Sequence, residues 1–236
     1  MSGQAAPSEP GALSLPTFGA RRNLRQEVAH ALRAALITGE MRPGLLYSAP
    51  ALAEKFGVSA TPVREAMLDL ANEGLVEAVR NKGFRVAELT NRELDDITTL
   101  RALIEVPTVG EIAARFAEGT RPAVEALRPL ADEIERQAAI PDVIAYVEAD
   151  RQFHLGLLAL AGNEQLVQVV GNLRARSRLY GLHELASKGE LVRSAREHQE
   201  ILASVLAGDP EKATTVMRRH IGHVRGSWAG RTEPHQ

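Results

Sequence analysis

Apolar residues after the first twenty positions recur at the three- and four-residue spacing of one helix face. Leu24, Val28 and Leu32 follow this spacing, and Gly39 ends it. Residues 1–20 show no such pattern and are rich in Gly, Pro, Ala and Ser, a composition that buries too little apolar surface to offset the entropy lost on ordering. We therefore predict a disordered tail over residues 1–20 and a first helix after it.

Two shorter helical patterns follow, and a tight turn separates them. The first covers residues 49–56 and the second residues 59–73, where Ser59 is suited to cap the helix N-terminus. Short apolar runs then predict two strands, over residues 75–79 and 84–87, joined by a hairpin turn with a basic tip. Three helices followed by a β-hairpin are the elements of a winged helix-turn-helix.

A winged helix-turn-helix over residues 21–89 would be a DNA-binding domain. Its second paired helix, the reading helix, enters the major groove, while the hairpin tip contacts phosphates or the minor groove. The candidate DNA contacts are the polar residues at those two places: Ser59, Thr61, Arg64, Arg80, Asn81, Lys82 and Gly83. A helical pair with a Gly turn also occurs in proteins that never touch DNA, but the basic hairpin favours the DNA-binding interpretation.

Every segment with a clear period after Asn91 is helical. Gly and Pro interruptions divide this part into six predicted helices, near residues 91–118, 122–138, 143–160, 164–187, 190–207 and 210–230. We therefore predict a mainly α protein in which an N-terminal winged helix-turn-helix is followed by an all-α helical bundle over residues 91–230.

Composition narrows the chemistry that this chain can carry. Aromatic residues make up only 4% of it, which favours helices packed by aliphatic side chains. The absence of Cys excludes disulfides and thiolate metal sites, so any metal must be held by His and carboxylates. The net charge is -2, yet basic residues outnumber acidic ones by ten to eight within residues 21–89. We find neither an export signal nor an apolar run long enough for a membrane span, and expect a soluble cytoplasmic protein with no membrane contact.

Four side chains of the helical half form a candidate metal site. Asp150 and His154 are four residues apart, so they share one face of a predicted helix, while His198 and His220 lie on the last two predicted helices. One carboxylate and three imidazoles suit a divalent metal ion: zinc first, with nickel, manganese or iron as alternatives. From the spacing alone, ordinary polar side chains of a helical bundle are the more common interpretation.

The N-terminal motifs resemble the head of GntR-type bacterial regulators. In chain order they are Pro43-Gly44, Leu52-Ala53-Glu54, Gly57-Val58-Ser59, Thr61-Pro62-Val63-Arg64-Glu65-Ala66, Glu73-Gly74-Leu75-Val76 and Gly83-Phe84-Arg85-Val86. The resemblance implies that Arg64, the start of the reading helix and the hairpin tip touch DNA. This chain has Ala60 where the family usually has Arg, so the family's usual operator does not follow from the resemblance.

The helical half resembles the FCD class of the same regulators, which is related to the FadR type. The motifs that carry this resemblance are Arg101-x3-Glu105, Asp150-x2-Phe153-His154, Gly162-Asn163, Glu197-His198 and His220-Ile221. By that resemblance Asp150, His154, His198 and His220 are metal ligands, and the metal helps to bind an organic-acid effector. The effector contacts that we predict are Arg101, Arg174, Arg178 and Tyr180.

These observations predict a homodimeric transcription regulator, a repressor, which binds a palindromic operator in double-stranded DNA and responds to a small organic acid. One alternative is a metal-dependent enzyme in which the same Asp and His residues activate water. Another keeps the regulator but gives the metal a purely structural role. Neither a His-Glu-x2-His pairing nor a Gly-x-Ser-x-Gly elbow nor a phosphate loop occurs in the sequence, which favours the regulator.

Overall fold

The computed structural model describes residues 22–140, 143–177 and 190–226, and these ranges are mainly helical. The N-terminal elements are α1 (Arg22–Ile37), β1 (Leu46–Tyr47), α2 (Ala49–Phe56), α3 (Ala60–Asn72), β2 (Val76–Val79) and β3 (Gly83–Val86). The C-terminal elements are α4 (Asn91–Ala114), α5 (Arg121–Glu125), α6 (Arg128–Ala139), α7 (Val143–Ala159), α8 (Glu164–Ser177), α9 (Glu190–Leu206) and α10 (Pro210–Gly226). The predicted fold class, a winged helix-turn-helix followed by a helical bundle, is confirmed.

The helix pair α2 and α3 forms because its ends carry the residues that stop and start helices. Ser48 caps α2, since its hydroxyl accepts a hydrogen bond from the Ala51 backbone N–H at 3.3 Å. Ser59 has extended backbone at the N-cap of α3, but its side chain makes no capping hydrogen bond. The hydroxyl of Ser59 is therefore available to an external partner such as a phosphate.

The hairpin β2–β3 is antiparallel, with Val76 opposite Val86 and Val79 opposite Gly83. Gly83 has φ +126°, and a Cβ at this position would lie 2.4 Å from the Tyr47 carbonyl oxygen. Only glycine permits this close approach. The Gly in the hairpin therefore serves strand packing as well as the turn.

A third strand, β1, lies on the other side of β3 and was not predicted. Leu46 pairs with Arg85 and Tyr47 with Phe84, giving the sheet order β1-β3-β2. A strand of two residues has no alternation to detect in sequence. It exists because β3 offers it a partner, which is a tertiary effect.

Apolar side chains gather in two separate cores. The buried residues of the first lie within 28–86 and include Leu32, Met67 and Phe84. The buried residues of the second lie within 94–221 and include Phe153. The second core surrounds the polar site described below, so that site is held by well-packed helices.

The helical half differs from the prediction at two breaks. The predicted helix 122–138 is two helices, α5 and α6, because Pro129 lacks an N–H and belongs in the first turn of a new helix. The predicted helix 91–118 ends at Ala114 and is followed by a short 3-10 turn, Glu118–Thr120. Within the described ranges, no helix is long and apolar enough to cross a membrane.

Candidate metal centre and nucleic-acid interface

The four predicted metal ligands meet at one point inside the helical half. Helix α7 supplies Asp150 and His154, α9 supplies His198 and α10 supplies His220, and all four side chains are buried. The Nε2 atom of His154 lies 3.0 Å from Nε2 of His198 and 3.1 Å from Nε2 of His220. Oδ1 of Asp150 lies 3.2 Å from Nε2 of His198.

The hydrogen bonds around the cluster determine which ring nitrogens carry protons. Nδ1 of His198 donates to the Ala195 carbonyl at 3.0 Å, and Nδ1 of His220 donates to Oε2 of Glu197 at 3.0 Å. A carbonyl and a carboxylate can only accept, so the proton of each neutral ring is on Nδ1. The Nε2 atoms of His198 and His220 are then unprotonated. Both Nε2 lone pairs face Nε2 of His154, which can donate a hydrogen bond to at most one of them, so a cation between the rings would satisfy the others.

The donor set therefore fits a divalent metal ion. One ligand atom from each of the four residues lies within 4.8 Å of all the others. Neutral imidazole nitrogen and carboxylate oxygen are ordinary ligands for such ions, and Glu197 orients His220 in the way that outer-shell carboxylates orient metal-binding histidines. The buried cluster of Asp150, His154, His198 and His220 could hold one ion.

Burial also keeps His154 and His220 in the neutral form that binds metal. Removal from water, with a smaller contribution from the nearby Arg174, lowers the pKa of His154 well below its ordinary value. Removal from water likewise lowers the pKa of His220 to about 4, although its hydrogen bond to Glu197 acts in the opposite direction. Both rings are thus ready to bind metal at neutral pH.

A buried ion-pair chain extends from the metal ligand Asp150 to the interior of α4. Oδ2 of Asp150 accepts a hydrogen bond from Nη1 of Arg174 at 3.3 Å, and Nε of Arg174 donates to Oε2 of Glu105 at 3.1 Å. Oε1 of Glu105 accepts from Nε of Arg101 at 2.8 Å. Burial by itself would raise the pKa of Glu105, but the Arg174 and Arg101 guanidiniums outweigh it and hold that pKa below its ordinary value.

Two of the four predicted effector contacts lie on this chain. Arg101 forms an i,i+4 ion pair with Glu105, and both side chains are buried. Nη2 of Arg101 is buried and has no hydrogen-bond partner among the described residues. Arg174 is engaged by both Glu105 and Asp150. Arg178 and Tyr180 lie outside the described residues.

A cavity of about 80 Å³ lies where the helical half meets the N-terminal elements. Arg33 of α1, Glu73 at the end of α3 and Leu75 line one side of it, and Asp150 and Arg174 line the other. The cavity leaves part of this junction unpacked.

The candidate DNA contacts on the reading helix α3 are on the surface. Ser59, Thr61 and Arg64 are all exposed, and their neighbours Val63 and Ala66 are buried in the N-terminal core. Arg64 makes no ion pair with any described residue. The α3 carboxylate Asp69 pairs with Arg25 of α1 instead. An exposed, unpaired guanidinium near the start of α3 is free to meet a base edge or a phosphate.

The hairpin tip is equally accessible. Arg80, Asn81 and Lys82 are exposed, and Gly83 is half-buried. Asn81 has φ +60°, which turns the chain at the tip, and the Lys82 N–H donates to the Val79 carbonyl at 3.0 Å. In the described part of the chain neither Arg80 nor Lys82 has a carboxylate partner, so both cations face solvent.

Two functional features were missed in the sequence. Glu197 holds His220, which is 23 residues further along the chain, and Glu105 holds Arg174, which is 69 residues away. Neither pair follows a helical or strand spacing. Only the packing of α4 against α8, and of α9 against α10, brings these groups together, so no local pattern could have revealed them.

Comparison with known proteins identifies both halves of the chain. Residues 24–86 match the family model "Bacterial regulatory proteins, gntR family", and residues 96–223 match the FCD domain. A transcriptional regulator in an unstable DNA locus of Streptomyces ambofaciens is 33% identical over 207 residues, covering 86% of this chain and 84% of that protein. The transcriptional repressor GlaR of Escherichia coli is 30% identical over 195 residues, covering 80% and 89%.

A solved structure gives the same result. The structure of E. coli McbR/YncC superimposes with a TM-score of 0.69 at 25% identity, covering 85% of this chain and 94% of that one. The gntR family model describes bacterial regulatory proteins, and the curated relatives, which are transcription regulators, match this chain over most of their length. These matches identify the chain as a transcription regulator and not as an enzyme. This chain belongs to the GntR family of bacterial transcription regulators, and its C-terminal half is an FCD domain.

Proposed function

We propose that this regulator is a repressor whose affinity for its operator is set by a small organic acid bound at a metal site between α7, α9 and α10. The observation that carries the proposal is the convergence of the His154, His198 and His220 Nε2 atoms with a carboxylate oxygen of Asp150. We propose zinc as the metal, with nickel, manganese and iron as alternatives. When bound, the ion would supply a Lewis acid able to take a carboxylate in an open position.

An acid as effector is supported by the guanidiniums beside the site. Arg101 is fully buried, and its Nη2 is a hydrogen-bond donor without an acceptor in the described part of the chain. A carboxylate is the acceptor that best matches a buried guanidinium, because it offers both charge and geometry. We propose Arg101 and Arg174 as effector contacts, and Arg178 and Tyr180 remain predictions.

For the DNA we propose direct contacts from α3 and from the hairpin tip. The proposed contacts are Ser59, Thr61, Arg64, Arg80, Asn81, Lys82 and Gly83. Residues 21–89 would form the DNA-binding domain and residues 91–230 the sensing and dimerisation domain, with residues 1–20 as a tail. Such a protein would act in the cytoplasm, where bacterial DNA lies. The similarity to GlaR, which is named a repressor, supports a repressor role.

A homodimer on a palindromic operator is the assembly that we propose, because one head offers few contacts and two-fold pairing doubles them. Helix α4 carries the surface that we propose for this pairing. Leu100 and Leu103 are exposed on it, the latter to 66%, and the exposed Pro107 continues the same face one turn further on. Apolar residues grouped on one helix face favour burial against a second copy.

Metal analysis combined with a ligand screen tests the sensing function. Purified protein should carry one ion per chain, and its melting temperature should rise with particular mono- or dicarboxylic acids only in the metal-loaded form. His198→Ala should abolish the metal and the acid response, and it should bind the operator as the chelated wild type does. His30→Ala, which changes an exposed imidazole of α1, is the matched control.

Three outcomes of that screen would contradict parts of the proposal. If the purified protein carried no stoichiometric metal, the four residues of the cluster would be ordinary polar side chains of the bundle. Metal without any acid response would leave the ion a structural role. An acid response that survives in His198→Ala would put the effector site elsewhere.

A further inference from the structure

We propose that helix α8 is the lever that transmits occupancy of the metal site to the reading helix, and that Arg176 is the positioning residue through which it acts. This inference rests on the proposed function. It starts from three consecutive residues of α8: Arg174, Ala175 and Arg176. The first contacts the metal site, and the other two contact the N-terminal elements.

The sensor end of the lever is the contact between Arg174 and Asp150. The two carboxylate oxygens of Asp150 have different partners, since Oδ1 faces the imidazoles and Oδ2 accepts from Arg174. When a divalent cation occupies Oδ1, Asp150 attracts the Arg174 guanidinium less strongly, because part of its charge is compensated. Glu105, which already accepts from both Nε and Nη2 of Arg174, then draws the guanidinium further from Asp150, and α8 shifts with the side chain.

The DNA end of the lever is one residue further along the same turn. Ala175 packs against the N-terminal core. The stem of Arg176 lies on Gly74, where an added Cβ would be 2.8 Å from Cδ of Arg176 and 3.2 Å from Cγ. Gly74 directly follows the cap of α3 and has φ +74°, so the end of the reading helix is held in a conformation that other residues rarely adopt.

The surroundings of this contact favour transmission through α8. A helix moves as a rigid unit over a single turn, so a displacement at Arg174 is carried to Arg176. A cavity of about 80 Å³ lies beside it and is lined by residues of α1, α7 and α8, which leaves room for a small shift at this junction. Through Ala175 and Arg176, helix α8 therefore connects a residue that contacts a proposed metal ligand to the N-terminal core and to the residue that follows the cap of α3.

The experiment compares zinc-loaded and chelated protein in four forms: wild type, Arg176→Ala, Arg176→Lys and Arg128→Ala. Lys keeps an aliphatic stem on Gly74, and Arg128 is an exposed arginine of α6 that serves as the matched control. The first readout is hydrogen exchange of residues 68–78 with and without Zn²⁺. The second is affinity for a duplex selected by the protein from a random-sequence library.

In the wild type, Zn²⁺ should change exchange at the end of α3 and change duplex affinity by about 5- to 150-fold, the usual range of allosteric coupling. Arg176→Ala should bind zinc and, when chelated, bind the duplex as the wild type does, but its zinc effect should fall below about twofold. Arg176→Lys and Arg128→Ala should keep the full effect. By reciprocity, the duplex should change zinc affinity by the same factor in each variant.

A full zinc effect in Arg176→Ala would overturn the lever and leave the proposed function standing. Weaker duplex binding by chelated Arg176→Ala would overturn it too, since Arg176 would then be a DNA contact. A wild type that binds zinc without any zinc effect would overturn the lever, whereas the acid response of the metal-loaded protein tests the proposed function separately.

Discussion

Nδ1 of His220 lies 3.0 Å from Oε2 of Glu197, although the two residues are 23 positions apart on different helices. The carboxylate fixes the ring so that Nε2 faces Asp150, His154 and His198. Glu197 also accepts from Nε of Arg219 at 2.8 Å, and Arg219 reaches Glu200 as well at 2.7 Å. Glu197 and Glu200 thus share one arginine, but only Glu197 is seen to hold a proposed metal ligand.

Glu197→Ala should lower metal affinity by about 10- to 100-fold, because an outer-shell carboxylate sets both the orientation and the basicity of the histidine that it holds. Titration with Zn²⁺ against a competing chelator measures the change. Glu200→Ala is the matched control and should bind Zn²⁺ as the wild type does. Equal affinity in both variants would mean that Glu197 has no part in metal binding.

The chelated protein should lose stability as the pH falls from about 6.5 to 4. His220 has a folded-state pKa of about 4 against an ordinary 6.5, so in this window the unfolded chain binds more protons than the folded chain. The contribution of His220 to the free energy of unfolding is fully present above pH 6.5, and roughly 3 kcal/mol is lost as the pH falls to about 4. Lowering of the His154 pKa acts in the same direction.

Urea unfolding of the chelated protein between pH 7 and pH 4 measures this loss. His220→Gln removes the titrating ring and should make the dependence on pH shallower. A wild-type free energy of unfolding that stays level over this range would contradict the burial of neutral imidazoles.

Arg64→Ala should weaken binding to the preferred operator by roughly 1–3 kcal/mol, because an exposed and unpaired guanidinium on the reading helix is placed for base or phosphate contact. The fold should be unaffected, since the Arg64 side chain does not enter the core. Fluorescence anisotropy on matched and scrambled duplexes measures the effect. Unchanged affinity for the preferred duplex would remove Arg64 from the interface.

Lys82→Ala, at the hairpin tip, should weaken binding to all duplexes to a similar extent. A phosphate contact carries little base information, so its loss should also reduce the slope of log affinity against log salt by about one. Salt titrations with two unrelated duplexes test this expectation. A loss confined to one sequence would mean that Lys82 reads bases.

Leu103→Glu should convert a dimer into a monomer at micromolar concentration, because it puts a charge into the proposed pairing face of α4. Analytical ultracentrifugation measures the assembly state. Val169→Glu alters a similarly exposed apolar residue on α8 and should leave the dimer intact. A Leu103→Glu protein that still pairs would show that α4 is not the pairing surface.

The sequence by itself was sufficient for the order of helices, the hairpin and the family. Helical periods and the Gly-bounded turns are local signals, because backbone conformation depends on a few neighbouring residues. Ser59 lies at the N-cap of α3, but its side chain makes no capping hydrogen bond there. The split between α5 and α6 was missed, because the helical period on either side concealed the signal of Pro129. Strand β1 was not readable, because a two-residue strand exists only through its pairing with β3.

The tertiary structure decided which polar residues meet. Spacing indicated that Asp150 and His154 share a helix face, but only the packing of α7, α9 and α10 brings His198 and His220 to the same point. The same packing puts Arg101 in the interior, although its pairing with Glu105 is equally compatible with an exposed helix surface. Burial and contacts between distant helices depend on the whole fold, and they determine the tautomers of His198 and His220, the lowered pKa values of His154 and His220 and the position of Arg176 on Gly74.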